Sequence, residues 1–312
     1  MPHLTIQQTL LQARQKIDAL DAELLLAHVL KKPRGWVLVH LEAKIERLKD
    51  QKIKRLLARR ANGEPVAYLT GHKEFFGLDF EINKNVLIPR PDTETMVELV
   101  IEKIKRLSRW NAGSRTLSGK DQKITMIDVG TGSGCIPVAI ANHIRHNFSP
   151  YQGEREGVCI KTIAIDISKK ALAVAKRNAK RHGVRIKFLH GNLLGPILKT
   201  YNLKLKTYNL IITANLPYLT NKQCKTSPTI QHEPKLALVA KDNGLALYKK
   251  LLKQIKKLTT YNLQLTTFME IDPSQSKSIT SLIQSILPDA KIQIKKDLAG
   301  LDRVVRITNY AA

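Results

Sequence analysis

Hydrophobic residues before residue 75 recur with the spacing of α-helices, on faces shared by Leu20, Leu24, Ala27, Ile53, Leu56 and Leu57. Pro33 and Gly35 lie between the two groups, where they end one helix before the next begins. The pattern therefore predicts a small helical domain over residues 1–73.

A different pattern follows these helices. The stretch EFFGLDFEINKNVLIP (74–89) contains short extended runs interrupted by Gly77 and by the polar triplet NKN, which is typical of a β-hairpin. Asp92 and the two residues after it then supply capping and acidic groups for the first turn of a new helix. We therefore predict a hairpin linker over residues 74–91 and a second domain over residues 92–312.

From residue 124 onward, short apolar runs alternate with longer stretches of helical periodicity. The runs ITMIDVG, KTIAIDI, RIKFLH, YNLIITA and LQLTTFMEI are typical of buried strands, and two further strands close the chain. The intervening helices end near Ala141 and His182, begin at Leu245, and cover residues 281–287. This alternation predicts an α/β fold with a parallel sheet and helices on both faces. Ligands of such sheets bind at the carboxyl ends of the strands.

Composition limits the classes of protein that this sequence can encode. With 312 residues, 43% of them hydrophobic, the chain can form one or two domains with a large core. No apolar run approaches the ~18 residues of a membrane span, and the N-terminus lacks the order of a signal peptide. Cys135, Cys159 and Cys224 are far apart and form no CxxC, so we expect neither disulfides nor a metal site. These features predict a soluble protein of the cytoplasm.

The charge balance is strongly basic, because 52 lysines and arginines against 26 acidic residues leave a net charge of +26. Such an excess attracts polyanions, which include RNA, DNA and acidic proteins, and does not select among them. Much of it lies on helical faces, as in KIERLKDQKIKRLLARR (44–60) and KKLLKQIKKL (249–258). A solvated, lysine-rich surface is an equally good interpretation of those stretches.

The first stretch that indicates chemistry is the glycine turn of IDVGTGSGCIPVAIA (127–141), which comprises Gly130, Thr131, Gly132, Ser133 and Gly134. Alternate glycines let the backbone turn sharply and let a ligand approach closely. The spacing GxGxG differs from the GxGxxG of dinucleotide folds, which argues against NAD. Asp166, at the end of the next strand, could accept both hydroxyls of a ribose. Together these residues indicate a nucleoside ligand, and S-adenosylmethionine is favoured because phosphate-binding features are missing.

The second such stretch is ANLPY (214–218), at the end of the strand YNLIITA. An amide nitrogen is a poor nucleophile because its lone pair is delocalised into the carbonyl group. The Asn215 side-chain oxygen and the Leu216 carbonyl can accept its hydrogens and favour a more nucleophilic nitrogen. Pro217 fixes the turn without a competing N–H, and Tyr218 offers a flat face to an amide or a base. With a methyl group held in line at about 3–3.5 Å, positioning supplies much of the acceleration.

The sequence resembles the release factor glutamine methyltransferases of the HemK/PrmC type, in the stretches VLIPRPDTE (86–94), DVGTGSG (128–134), ANLPY (214–218), EPKLAL (233–238) and KDLAGLDRVV (296–305). GEPVAYLTGHKEFFG (63–77) also resembles the domain junction of that family. IPRPDTE is the most specific string, because the sister enzymes that modify a ribosomal protein differ there. The resemblance implies a Rossmann-like class I methyltransferase sheet, with a small helical N-terminal domain joined to it by a β-hairpin.

The resemblance also implies an activity and a cofactor. The helical domain would recognise a peptide chain release factor, and the second domain would use S-adenosylmethionine to methylate the glutamine of its Gly-Gly-Gln motif at the side-chain nitrogen. By position, Gly130–Gly134 would surround the methionine part of the cofactor, Asp166 would hold the ribose, and Asn192 with Leu193 would face the adenine. Asn215 would contact both cofactor and substrate.

The substrate glutamine would lie against Asn215, Leu216, Pro217 and Tyr218, according to the same resemblance. Arg90 and Glu94 would either close over the substrate or pair with each other, and the sequence leaves both alternatives open.

The chain departs from the family pattern at four places. Asn192 replaces the usual acid at the adenine position, and Leu216 replaces the commoner first proline while its carbonyl stays available. Residues 146–158 have the character of an insertion, and the segment 242–244 is one residue longer than the usual Asp-Gly.

Three other functions remain open from the sequence. An adenine-N6 methyltransferase acting on DNA or RNA would use the same Asn-x-Pro-Tyr on an exocyclic amine and would flip the base. N5-methylation of a ribosomal protein glutamine is the second alternative, and a binding module that retains only the fold is the third. Aromatic residues, which would stack on bases, make up only 5% of the chain.

Overall fold

The computed structural model describes residues 4–112, 124–147, 160–199, 209–225, 229–259 and 264–309. The predicted insertion lies outside these residues from position 148 onward, as does Cys159.

The N-terminal part is helical, as the hydrophobic spacing predicts, with α1 (Ile6–Arg14), α2 (Ala19–Leu30), α3 (Arg34–Val39), α4 (Arg47–Ala61) and α5 (Val66–Thr70). Thr5 caps α1 in a capping box, and the Asp18 side chain accepts a hydrogen bond from Leu20 N at the start of α2. Leu25 and Ile53 are fully buried in a core that these helices share. The apolar faces therefore pack against one another.

The predicted hairpin consists of β1 (His72–Phe75) and β2 (Leu78–Glu81), which pair antiparallel. Its buried Phe75 and Phe80 belong to the same hydrophobic cluster as Met96 and Ile140 of the second part of the chain. The hairpin thus packs on the segment that follows it in sequence. The division at residues 73 and 91 stays a prediction.

A seven-stranded sheet forms the second part, with β3 (Ile124–Val129), β4 (Ile160–Asp166), β5 (Lys187–His190), β6 (Asn209–Ala214), β7 (Gln264–Glu270), β8 (Lys291–Lys296) and β9 (Asp302–Asn309). The strand order is β5-β4-β3-β6-β7-β9-β8. The strands β3 to β7 are parallel, and β9 runs antiparallel between β7 and β8. The predicted α/β fold is confirmed, and the insertion of β9 between two earlier strands is a feature that the alternation did not predict.

The remaining helices are α6 (Glu94–Ala112), α7 (Cys135–Asn147), α8 (Lys169–Arg181), α9 (Gly195–Lys199), α10 (Asn221–Cys224), α11 (Lys235–Leu238), α12 (Ala246–Leu258) and α13 (Ser276–Ile286). A 3-10 turn over Pro91–Thr93 precedes α6, so the α-helix starts two residues after the predicted Asp92. Two hydrophobic clusters, one with residues of α6 to α8 and the other with residues of α12 and α13, include side chains from the sheet strands. In the described part of the chain, no helix combines the length and apolar character needed to cross a bilayer.

Candidate active site

A cavity of about 320 Å³ opens where β3, β4 and β6 end, at the carboxyl edge of the sheet. The predicted site residues that line it are Arg90, Gly130, Thr131, Gly132, Ser133, Asp166, Asn192, Leu193, Asn215, Leu216 and Pro217. Gly134, Tyr218 and Glu94 were predicted with them and do not line the cavity. The volume falls within the ~300–1,000 Å³ of pockets that bury small ligands.

The glycine turn begins directly after β3. Gly130 has a φ of +75°, and a Cβ on it would lie 3.0 Å from Leu216 Cδ2. A side chain at this position would therefore be strained and would crowd the loop that carries Asn215. Gly134 instead packs against α8, where a Cβ on it would lie 3.0 Å from the Ala175 Cβ. The first glycine thus shapes the cavity, and Gly134 lets two helices approach.

Asp166 ends β4 and contacts the glycine turn through its carboxylate. Its Oδ2 accepts a hydrogen bond from Gly132 N at 2.9 Å, and its Oδ1 accepts one from Ser168 N at 2.8 Å. Burial raises the pKa of Asp166, and the backbone hydrogen bonds from Ser168 and Gly132 oppose that rise. Each carboxylate oxygen has further lone-pair capacity, so the group can still accept hydrogen bonds from ligand hydroxyls.

Asn192 and Leu193 lie in the turn between β5 and α9. The turn is closed by a hydrogen bond from Gly195 N to the Asn192 carbonyl at 3.0 Å. Leu193 has a φ of +51°, a left-handed conformation that few non-glycine residues adopt, and its side chain is buried. The buried leucine anchors the turn, so that Asn192 stays at the cavity wall.

Asn215 directly follows β6, and its side-chain amide is oriented by a residue distant in sequence. Asn215 Nδ2 donates a hydrogen bond to Thr93 Oγ1 at 3.2 Å. This bond fixes the orientation of the amide, whose oxygen is the atom that can accept hydrogen bonds from a ligand. The neighbouring Leu216 is buried, and its carbonyl oxygen lies 3.4 Å from the Tyr248 hydroxyl, which makes a shorter hydrogen bond to the Glu270 carbonyl.

Two buried residues that contact this loop were not predicted as part of the site: Thr93, which lines the cavity, and Glu270, which lies behind it. Thr93 is 2% exposed, and the sequence had indicated only a capping role for it at the start of the following helix. Glu270 is 1% exposed at the carboxyl end of β7, and it accepts a hydrogen bond from the Tyr218 hydroxyl at 3.3 Å. The signal for Glu270 was present in the sequence, since it is an acid that ends a buried strand of a parallel sheet.

Burial changes the titration of the groups behind the loop. It raises the pKa of Glu270 to about 7, and Thr93, Arg303 and Tyr218 each oppose the rise. Burial also raises the pKa of Tyr218, with Glu270 adding to the effect. The Tyr218 ring, which was predicted to face the substrate, directs its hydroxyl at Glu270 and does not line the cavity.

Arg90 and Glu94 do not pair with each other, which removes one of the two alternatives left by the sequence. Arg90 donates a hydrogen bond to Glu233, and the other oxygen of that buried carboxylate accepts one from Ile88 N at 3.0 Å. Glu94 accepts a hydrogen bond from Phe76 N at 2.9 Å. Arg90 thus fastens the segment around Glu233 to the cavity wall, and Glu94 fastens the hairpin to α6.

A buried asparagine connects the hairpin to the glycine turn. Asn178 of α8 has no exposed surface, and its Nδ2 donates to Ser133 O at 2.9 Å and to Glu81 O at 3.1 Å. Its Oδ1 accepts a hydrogen bond from Glu81 N at 2.8 Å. Since burial of an unpaired amide is costly, these contacts fix the positions of both loops.

The turn over residues 242–244, which is longer than in the family pattern, packs against the same loop. Asp242, Asn243 and Gly244 have φ values of +54°, +51° and +86°, so three consecutive residues are left-handed. A Cβ on Gly244 would lie only 2.0 Å from the Tyr218 carbonyl oxygen. Gln275 Nε2 donates to the carbonyls of Tyr218 and Asn243, at 3.3 Å and 2.9 Å.

Comparison with protein families and curated sequences identifies relatives over most of the chain. Residues 5–71 match the PrmC N-terminal domain, and residues 120–286 match a methyltransferase domain. The release factor glutamine methyltransferase of Bacillus anthracis is 30% identical over 92% of both chains. That of Nitratidesulfovibrio vulgaris is 32% identical, over 97% of this chain and 95% of the relative. This chain belongs to the release factor glutamine methyltransferase family.

The fold of this family member is similar to that of solved methyltransferase structures. The catalytic domain of hMettl16, in complex with MAT2A 3'UTR hairpin 1, superposes with a TM-score of 0.53 at 12% identity. The match covers 92% of this chain and 91% of that one. Identity at this level shows the class I methyltransferase fold alone.

The family member is an S-adenosylmethionine-dependent methyltransferase, and the cavity fits that cofactor. A Cβ on Gly132 would meet no atom within 4 Å, so the turn leaves open space where a side chain would otherwise stand. Asp166 adds carboxylate acceptors suited to ribose hydroxyls. When bound, the cofactor supplies an electrophilic methyl group.

The cavity offers little acid–base chemistry. Among its described lining residues the titratable side chains are Lys84, Arg90, Cys135 and Asp166. Burial raises the pKa of Cys135 to about 12, so this residue stays a thiol at neutral pH. The arrangement suits a transfer that depends on positioning and hydrogen-bond acceptors.

Proposed function

We propose that this chain methylates the side-chain amide nitrogen of the glutamine in the Gly-Gly-Gln motif of peptide chain release factors. Relatives named release factor glutamine methyltransferase match over more than nine-tenths of the chain. The observation that carries the proposal is that Asn215, Leu216 and Pro217 share one cavity with the glycine turn and Asp166. A nitrogen held by the loop would therefore lie within the cavity that receives the cofactor.

In this proposal the two halves of the cavity have separate tasks. Gly130–Gly134 and Asp166 bind the methionine and ribose parts of the cofactor, and Asn192 with Leu193 borders the adenine. The Asn215 oxygen and the Leu216 carbonyl accept the two amide hydrogens of the glutamine. The nitrogen lone pair would then face the methyl carbon. As the new N–C bond replaced the S–C bond, the electron pair of the S–C bond would stay on sulfur, and the nitrogen would lose one proton to water.

The proposal rests on the orientation of Asn215. Its nitrogen donates to Thr93 at 3.2 Å, which leaves the oxygen as the acceptor that an amide N–H requires. Positioning of this kind can lower the free-energy barrier by about 7–11 kcal/mol in well-oriented systems.

Arg90 would hold the segment around Glu233 next to the substrate. We also propose that the N-terminal helices recognise the body of the release factor in the cytoplasm.

A labelling assay tests the proposed substrate. The enzyme is incubated with S-adenosylmethionine that carries a radioactive methyl group and, in separate reactions, with release factor, ribosomal protein or nucleic acid. We expect label in the release factor, at the glutamine of Gly-Gly-Gln. A release factor in which this glutamine is replaced by glutamate keeps the shape and lacks the amide nitrogen, so it should stay unlabelled. Label in nucleic acid or ribosomal protein, with none in release factor, would contradict the proposal.

A further inference from the structure

The reaction proposed above uses little of the positive charge of the chain, and part of the remainder is concentrated in one groove. An open groove of about 610 Å³ lies at the amino ends of β4 and β5 and along α8. The basic residues that line it are Lys161, Lys176, Lys180, Arg185 and Lys187. The candidate active site lies at the opposite, carboxyl ends of these parallel strands, so both could be occupied together.

Among the described residues that line the groove, positive charge has no negative charge beside it. Its other lining residues are Ile160, Thr162, Ala179, Val184, Ile186 and Phe188, none of them acidic. A surface that serves only solubility normally intersperses both signs of charge. Among the residues that the structure describes, none of the five basic side chains forms an ion pair.

The C-terminal half of α8 separates its four cations into two groups. On the side of the hairpin, Arg177 pairs with Glu81 at 2.7 Å, and Arg181 pairs with Asp79. Lys176 and Lys180 are each one position earlier in sequence and line the groove instead. The cations that fasten the hairpin are thus neutralised by acids, whereas those of the groove are exposed and uncompensated.

The remaining chemistry of the groove favours a phosphate backbone over nucleobases. Phe188 is the one aromatic residue among the described lining residues, and it is partly buried in the core beneath, so this part of the groove offers little aromatic surface for bases. Phosphate contacts need only mobile cations along the track of the strand. Lysines on edge strands prevent the edges of two sheets from pairing, and this role would explain Lys187 of the edge strand β5. It does not explain the other four basic residues of the groove.

We propose that this groove binds the sugar–phosphate backbone of RNA. The choice of RNA rests on the proposed function, because a translation factor as substrate brings the enzyme into surroundings rich in ribosomal RNA. Binding is independent of base sequence and falls steeply with salt. It brings the enzyme close to its substrate and takes no part in methyl transfer.

The experiment is a titration of the full-length enzyme into a fluorescent RNA hairpin, followed by anisotropy at several salt concentrations. Five phosphate contacts predict a slope of log K against log salt concentration of about −3.5 to −4.5. In the double variant Lys176→Gln/Lys180→Gln the slope should become shallower by about 1.4–1.8, with roughly ten-fold or greater loss of affinity near 100 mM salt.

The matched control is Lys249→Gln/Lys253→Gln on α12. It removes the same charge from two exposed lysines with the same spacing, outside the groove. It should keep the parental slope, and both variants should keep the parental melting temperature. Equal losses in the two variants would overturn the proposal, since binding would then follow net charge alone. Tighter binding of a DNA hairpin of the same sequence, or of poly-glutamate, would overturn the choice of RNA.

Methylation of isolated release factor is measured on the same proteins. The groove variant should methylate at the parental rate, because its residues lie away from the cavity. An enzyme that binds RNA through the groove and labels no release factor would contradict the proposed function and leave the groove assignment standing. An enzyme that labels release factor and fails to bind RNA would contradict the groove assignment and leave the proposed function standing.

Discussion

The cavity has a proposed cofactor half, with the glycine turn and Asp166, and a proposed substrate half, with the loop that follows β6. The two halves are held in place in different ways. On the cofactor side, Asp166 accepts hydrogen bonds from backbone N–H groups that are 34 and 2 residues away in sequence. On the substrate side, the loop is held by side chains, with Asn215 bonded to Thr93, 122 residues away, and Tyr218 bonded to Glu270, 52 residues away. The Asp166 contacts thus use backbone donors, whereas the contacts of the Asn215 loop use a set of side chains more distant in sequence.

This difference affects how each half responds to substitution and how well its supporting residues can be predicted from the sequence. The backbone N–H groups that bind Asp166 survive the replacement of neighbouring side chains, and the buried Asn178 amide is the side chain that also holds the glycine turn. The substrate half depends on hydroxyl and amide groups that a single substitution removes. Because its supporting residues are distant in sequence, only the folded chain brings them together.

The largest effect should come from Asn215→Ala. Removing one preorganised polar group from a site of developing charge costs about 10²–10³ in kcat. Cofactor affinity should change much less, because Asp166 and the glycine turn are untouched. Steady-state kinetics with release factor and calorimetry with S-adenosylmethionine measure the two quantities.

The matched control for this prediction is Asn192→Ala, which removes the same amide from the other half of the cavity. Its effect should fall on cofactor affinity, with kcat near the parental value once the cofactor is saturating. If Asn215→Ala methylates within a few-fold of the parental rate, the loop is only a turn, and the contrast between the halves fails.

The second prediction concerns stability and pH at Glu270. Its folded pKa of about 7 lies above the ordinary 4.5, so the folded protein binds this proton more tightly than the unfolded chain. The stability from this group is therefore present at low pH and is lost as pH rises from 4.5 toward 7. Between pH 5 and pH 8 the parent should lose up to about 3 kcal/mol more of its unfolding free energy than Glu270→Gln.

Urea unfolding at the two pH values measures that difference directly. The exposed Glu98→Gln provides the control and should keep the pH dependence of the parent. Asp128, whose pKa burial raises to about 6, titrates in the parent and in both variants, so its contribution cancels. Equal pH dependence in all three proteins would mean that Glu270 is ionised throughout.

The third prediction addresses the cofactor half through Asp166→Asn. The variant keeps one acceptor oxygen and loses the charge, and a charged acceptor contributes about 1.5–3 kcal/mol per hydrogen bond. We expect S-adenosylmethionine to bind roughly 10–100-fold more weakly, with kcat nearly restored at saturating cofactor. Unchanged affinity in calorimetry would move the ribose site elsewhere.

The smallest effect is expected for Thr93→Val, which keeps the shape of the side chain and removes the acceptor of Asn215 Nδ2. A neutral hydrogen bond contributes about 0.5–1.5 kcal/mol, which corresponds to a 2–10-fold loss of kcat. Thr266→Val, equally buried in β7 and outside the cavity, controls for the loss of a buried hydroxyl. A loss of kcat in both variants would indicate general destabilisation rather than misorientation of Asn215.

Sequence patterns could bring the residues proposed to bind the cofactor together because their signals are local. The glycine spacing and the acid at the end of the next strand lie in two consecutive strand-to-helix turns, and the structure brings both to one cavity. The α/β alternation likewise predicted the parallel strands. It could not place β9, since the position of a strand in a sheet depends on pairing with distant segments.

The substrate half shows where such patterns end. Asn215 could be predicted from its own loop, and Glu270 had a signal as an acid at the end of a strand, whereas Thr93 looked like an ordinary helix cap. The partner of Arg90 was also hidden, because Glu233 follows it by 143 residues. These pairings arise from tertiary packing, which no periodicity of hydrophobic residues encodes.

The turn over residues 242–244 restricts how this part of the chain can drift in evolution. Positions 242 and 243 are left-handed and can be exchanged among asparagine, aspartate and glycine, the residues that tolerate such backbone angles. Position 244 has no such freedom, since the first side-chain atom of any other residue would lie 2.0 Å from the Tyr218 carbonyl oxygen. A library that samples all amino acids here should return glycine alone among folded, active clones, and a homologue without it must have rebuilt the path of the loop after Tyr218.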